Sequence, residues 1–474
     1  TAPTGSITAG GHSWTELEQE ITFDTFFKEP AAVTVAAADQ GSGVAKIEYL
    51  TANSQQTLEA LKASDEWQES NSFTLKPNQA YVVYARITDQ SGNATYLSSG
   101  GIVVDDKAPV IDAEYHQAGK WALTKDAKIN VKVTDNLSGV KEIAYTIDGK
   151  SYTAEDTAFS ITNLPEGSYD VVINAVDYAG NTAATETIRV QLDDTAPTGS
   201  ITAGGHSWTE LEEEITFDVF FKEPAAVTVA AADQGSGVAK TEYLVANSQQ
   251  TLEALKASDE WQAGDSLTLE PDGSYVVYAR ITDQSGNETY LSSGGIVVDA
   301  TAPTLTVAYD SDGAWTLDAD AAITVEAGDE LAQLKEVRYT VNGEENVSTE
   351  ASFRIDDLPD GSYDVVIVAV DAAGNESEPV TVRVQKESEQ PSLSIDGIPG
   401  AATGQDVVLT LIPGGEYASG MALYVSKDGG TESRLPDGAA TYTVTENGVY
   451  TFRLVTGAGQ EATATVRIDQ IDRS

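Results

Sequence analysis

Thr1-Ala2-Pro3-Thr4-Gly5-Ser6-Ile7-Thr8-Ala9-Gly10-Gly11-His12-Ser13-Trp14 returns unchanged at residues 195–208, displaced by 194 positions. Self-similarity over such a distance marks a duplicated unit, and it decides how the rest of the chain is read. The same displacement carries Gly41-Ser42-Gly43-Val44 onto 235–238 and Gly100-Gly101-Ile102-Val103-Val104-Asp105 onto 294–299. Between the two copies lies a shorter unit whose own copy follows, with Trp121 mapping onto Trp315 and residues 167–173 onto 361–367. The last stretch keeps the pattern loosely, with Gly448-Val449-Tyr450 standing where Gly-Ser-Tyr stands elsewhere. The expected modules are 1–105 and 195–299 (long), 106–194 and 300–387 (short), and a divergent 388–474.

Inside each module, alternating β-rich stretches such as Ile129-Asn130-Val131-Lys132-Val133 are separated by Gly, Asp, Asn and Pro turn signals about every ten residues. A Tyr opens an alternating strand at the same point of each module: Tyr81, Tyr169, Tyr275, Tyr363 and Tyr450. It fits the corner at the start of strand F of an immunoglobulin-like sandwich. The expectation is an all-β chain of tandem immunoglobulin-like β-sandwich modules arranged as an elongated rod, each about 30 Å long from strands of about nine residues. Only the long modules break the pattern, with a helical insert at 57–67 and 251–261 whose Leu58 and Leu61 lie one turn apart and are expected to face the sandwich.

The chain has 474 residues, no Cys, three His and a net charge of −48. Such acidity repels nucleic acid and anionic lipid. No apolar run approaches the roughly 18 residues that span a bilayer, so no direct membrane insertion is expected. Without Cys there are neither disulfides nor thiolate metal sites. His12, His116 and His206 form no catalytic or metal constellation, and the modules leave no segment to build a catalytic cleft, so the chain is read as non-enzymatic. It starts without Met or a signal peptide and stops in polar sequence, as expected of a piece of a longer polypeptide.

Two acidic motifs recur in register. Asp39, Asp135 and Asp233 each open a segment ending Ser-Gly-Val between strands B and C, and Asp329 holds that place in a departed copy, Asp-Glu-Leu-Ala. Asp89, Asp177, Asp283 and Asp371 each open Asp-x-x-Gly-Asn, eight residues beyond the corner Tyr. A third acid sits in the short, Pro-bearing and therefore stiff linkers, at Asp105, Asp193 and Asp299. In an immunoglobulin-like sandwich the B–C and F–G loops share the end at which the chain enters. Three Asp are therefore expected at each of three junctions: Asp105 with Asp135 and Asp177, Asp193 with Asp233 and Asp283, Asp299 with Asp329 and Asp371. Hard oxygen ligands gathered this way suit Ca²⁺. The competing reading is that Asp, Asn, Ser and Gly serve only the local hydrogen bonds and positive φ of tight turns. Asp39 and Asp89 are expected as metal ligands too, awaiting a linker Asp that does not precede them in this sequence; at the last junction Glu387, Thr456 and Gln460 replace the motif residues, so no site is expected at that junction.

Ser-Gly-Val before a Tyr-containing strand, Asp-x-x-Gly-Asn after the next, and an Asp-Asp-Thr-Ala-Pro linker together resemble bacterial immunoglobulin-like tandem repeats of large cell-surface adhesins and multimodular extracellular proteins. The resemblance covers about residues 1–387 and is weaker beyond. It implies a non-catalytic stalk on the bacterial surface or in a secreted protein, projecting another domain, monomeric within this segment and facing an unnamed host protein or glycan. Some members bind Ca²⁺ between modules. The alternative is a ligand-binding accessory module of an extracellular enzyme, for which Trp14, Trp67, Trp121, Trp208, Trp261 and Trp315 would be a sugar platform rather than packing. Lys28 and Lys222, in Phe-Phe-Lys-Glu-Pro, are read as snorkelling strand lysines before isopeptide donors.

Overall fold

The computed structural model describes residues 1–317 and 321–474. Among the described residues the strands form ten sheets that face one another in pairs, and apart from short helical turns everything regular is β. Alternation explains this directly. In Ala31–Ala38 the side chains of Ala31, Val33 and Val35 are buried while their neighbours face water, and Ile129–Thr134 buries Ile129, Val131 and Val133 in the same rhythm.

The first pair sets Thr4–Ala9, His12–Trp14, Ala31–Ala38 and Ser72–Leu75 against Phe23–Phe27, Val44–Ala52, Gln68–Glu69, Gln79–Asp89 and Ala94–Val104. Ile7, Val33 and Val35 from one sheet close on Val83, Ala85, Ile87 and Ile102 from the other, a sandwich core. Within this pair of sheets the pairings are antiparallel except Phe23–Phe27 against Ala94–Val104, which is parallel. The short modules pair a three-stranded sheet with one of four or five strands around cores centred on Ile129, Val171 and Ile173, and on Ile323, Val365 and Ile367.

By compactness the chain divides into two units. The first holds Thr1–Gly199 with Ala231–Thr241 and Ile281–Thr289; the second holds Ser200–Ala230, Glu242–Arg280 and Tyr290–Ser474.

All five corner tyrosines are locked. Their hydroxyls donate to the carbonyls of Lys76, Pro165, Glu270, Pro359 and Glu446, at 2.7 to 2.9 Å. Burial pushes the Tyr169 phenol above its ordinary range and Tyr363 up to about 12.

The helical insert is shorter than 57–67, and one of its two leucines turns outward. Helix Leu58–Ala63 is capped by Thr57, whose hydroxyl accepts the Ala60 N–H at 3.2 Å. Leu61 is buried, but Leu58, the first residue of a helix of under two turns, is 38% exposed. Leu61 joins Leu50, Val82 and Tyr84 in a second apolar layer on the outer face of the sheet. Trp67 lies beyond the helix, donates to the Leu61 carbonyl at 3.0 Å, and stands under the Arg86 guanidinium at 4.7 Å. Leu255, Trp261 and Arg280 repeat this arrangement. All six tryptophans are half-buried, the packing expectation rather than a row of exposed rings.

Candidate metal centres

The same alternation that builds the core delivers the acids. In Gly167–Asp177 the inward positions are Tyr169, Val171, Ile173, Ala175 and then Asp177, so an even spacing of eight sets the acid on the core face. Asp135 follows Ile129, Val131 and Val133 in phase, and Asp329 follows Ile323 and Val325. Each acid therefore sits at the end of a core strand, pointing inward just where hydrophobic cover ends.

The linker acid arrives from the preceding module, held by its own backbone. The N–H groups of Asp105, Asp193 and Asp299 donate to Phe27, Ala122 and Phe221 carbonyls at 2.8 to 3.0 Å. Each triad then converges: Asp105, Asp135 and Asp177; Asp193, Asp233 and Asp283; Asp299, Asp329 and Asp371 each offer a carboxylate oxygen within 4.8 Å of the other two. Linker and F–G acids are 3% exposed or less, and the B–C acids are half-buried.

Backbone amides orient these carboxylates. At the first junction Gly139 donates to Asp135 Oδ2 at 2.8 Å, Ser138 to Asp105 Oδ2 at 2.9 Å, and Asn181 to Asp177 Oδ1 at 2.8 Å. The Asn181 side-chain amide ties loop to linker, donating to Asp177 Oδ2 and to the Asp105 carbonyl at 2.8 and 2.7 Å. Asn287 and Asn375 make the same bridge to the carbonyls of Asp193 and Asp299. Sequence reasoning noted this Asn as a turn residue and missed the bridge; its fixed place after Gly was the available signal.

Among the described residues no Lys, Arg or His pairs with any of the nine acids. Three carboxylates in so small a space repel one another, and burial removes the water that would screen them. Amide donors satisfy only part of the set. Asp135 Oδ1, the Ser138 and Ser236 hydroxyls and Asn375 Oδ1 are buried with no hydrogen-bond partner. Burial pushes the Asp299 carboxyl above the usual range, with the negative charge of Asp329 adding to it. An all-oxygen donor set with unsatisfied acceptors and surplus negative charge fits Ca²⁺.

Asp39 and Asp89 hold the same loop pair at the start of the chain. Gly43 donates to Asp39 Oδ2 at 2.7 Å, and the side-chain amide of Asn93 holds the Asp89 carboxyl below its usual range. No third carboxylate joins them among the described residues.

Residues 153–214 match the family model described as a bacterial Ig-like domain (group 3), a stretch that runs through the Asp193 linker. No curated protein matches the chain. Among solved structures it is similar to the fibronectin(III)-like modules of Clostridium thermocellum CbhA, at 18% identity over 39% of this chain and 94% of that one, TM-score 0.22. It is also similar to a chain from a 1.5-MDa bacterial ice-binding adhesin, at 14% identity over 60% of this chain and 99% of that one, TM-score 0.23. The resemblance to bacterial immunoglobulin-like repeats stands, carried in sequence by residues 153–214 and in form by tandem β-sandwiches.

Proposed function

We propose that this chain is a non-catalytic stalk segment of a bacterial surface or secreted protein, its modules strung as a rod that projects another domain, with Ca²⁺ locking three of the junctions. The observation that carries this reading is the origin of each triad: one carboxylate from the linker, two from the module that follows. Asp105, Asp135 and Asp177 would hold one ion, Asp193, Asp233 and Asp283 the next, and Asp299, Asp329 and Asp371 the third. A bound Ca²⁺ supplies the positive charge that buried acids lack, and joins two modules through one coordination sphere. No helix among the described residues is long and apolar enough to cross a membrane.

Small-angle scattering and thermal melting of the whole chain in Ca²⁺ and in EDTA test this. A long, stiff particle that becomes flexible and melts earlier in EDTA is the expected result. Identical profiles would reduce the acidic loops to turns.

A second reading, a ligand-binding accessory module, draws on the hollow beside each helical insert. It measures about 440 Å³ against Asn53, Gln56 and Glu66, and about 540 Å³ against Asn247, Gln250 and Glu260. Retention on a glycan array, lost on Gln56→Ala with Gln250→Ala, would favour it.

A further inference from the structure

The last junction keeps the frame of the other three while shedding most of its charge. The Glu387 N–H donates to the Thr316 carbonyl, as Asp105 does to Phe27. Ser419 N–H donates to Glu387 Oε2 at 3.0 Å, as Ser138 does to Asp105. Gly457 N–H bonds the Gly420 carbonyl at 2.9 Å, as Tyr178 bonds Gly139. Thr456 and Gln460 reproduce the Asp177 and Asn181 turn, with Thr456 N–H on the Gln460 carbonyl and Gln460 N–H on the Thr456 hydroxyl, at 2.9 and 3.1 Å. Strand Gly448–Thr456 is two residues shorter than its counterparts, an even difference, so position 456 stays on the core face.

On this frame two buried acceptors are left over. Glu387 is 4% exposed and Gln460 5%, and neither Glu387 Oε1 nor Gln460 Oε1 has a hydrogen-bond partner. The neighbouring Lys386 is committed elsewhere, its ammonium bonded to the Leu358 carbonyl at 2.8 Å, and among the described residues no cationic side chain pairs with Glu387. A buried carboxylate with an idle oxygen on the linker, and an idle amide oxygen on the turn that takes the place of the Asp177–Asn181 turn, call for a cation. Only one full negative charge is buried here: Thr456 replaces the F–G acid, and Glu416, at the B–C acid's place, is exposed. We propose that this junction binds a monovalent cation of the Na⁺ type, through Glu387 Oε1 and Gln460 Oε1. One buried charge calls for one positive charge, where the three carboxylates of the upstream junctions call for more, and both ligands are hard oxygens.

The test is hydrogen–deuterium exchange on the full chain at pH 7.5 in EGTA, in NaCl against choline chloride of equal ionic strength. With chelator present, the Ca²⁺ reading of the three upstream junctions neither helps nor harms the outcome. The expected result is several-fold slower exchange in Na⁺ for peptides holding the Ser419 and Gly457 amides, a difference that Glu387→Gln abolishes. Thr456→Asp, which adds a second buried carboxylate, should transfer the protection from Na⁺ to Ca²⁺ once chelator is removed. Equal exchange in Na⁺ and choline overturns the proposal, as does protection of the native chain that needs Ca²⁺, or a Thr456→Asp chain with no response to Ca²⁺.

Discussion

Asp177 is buried only because an even number of residues separates it from Tyr169, and its chemistry follows from that placement. Asp177→Asn keeps the size and removes one of three crowded charges. In EDTA this variant should melt at or above the parent temperature, because like-charge repulsion is relieved. In saturating Ca²⁺ it should lose the stabilisation of one site, about 2.7 kcal/mol at a hundredfold excess over Kd. Calorimetry in both conditions reads the crossing of the two curves. Gly235 offers a test that leaves every ligand in place: a Cβ there would lie 2.3 Å from Asp193 Oδ2, so Gly235→Ala should dislodge that carboxylate and remove one of three Ca²⁺ equivalents by titration calorimetry. These positions were legible in sequence because register and loop order determine them. The orphaned Ser138 and Ser236 hydroxyls and the Asn181 bridge were not, since they depend on side-chain directions that spacing does not encode.

At the scale of elements, the helical insert is the least regular part of the long modules, and it is held by few groups. Leu61→Ala should cost about 2–5 kcal/mol by emptying the layer over Val82 and Tyr84, measured by denaturant unfolding, whereas Leu58→Ala should cost little. Sequence periodicity offered both leucines to the sheet; only the capped short helix shows which is used. Under the insert, burial works against the Glu48 charge, yet hydrogen bonds from Arg86 at 2.7 Å and from Lys46 outweigh it and hold the carboxyl below the ordinary range. A folded pKa below the unfolded one means that the stabilisation is present above the ordinary Glu pKa and is lost as pH falls through the folded value. Acid should therefore loosen Trp67 and the insert through this group. Tryptophan fluorescence in acid titrations should lose that transition in the Glu48→Gln, Glu242→Gln chain. Tyr169→Phe, which removes the bond to the Pro165 carbonyl, should cost about 1 kcal/mol by the same unfolding assay.

For the molecule as a whole, the pattern long, short, long, short, divergent is read from repeats alone, and among the described residues ten sheets are formed. The alternation has a consequence for how the chain folds. Where neighbouring domains share a sequence, a strand of one can pair inside the other, and multidomain chains misassemble most readily by such exchange. Residues 1–14 and 195–208 are interchangeable strand for strand, yet a dissimilar sandwich of its own core separates them, and the short copies are likewise divided by a long one. Within this sequence no module adjoins its own duplicate, so strands of the first copy can pair in their own sandwich before those of the second are made, and the second copy emerges behind a dissimilar sandwich.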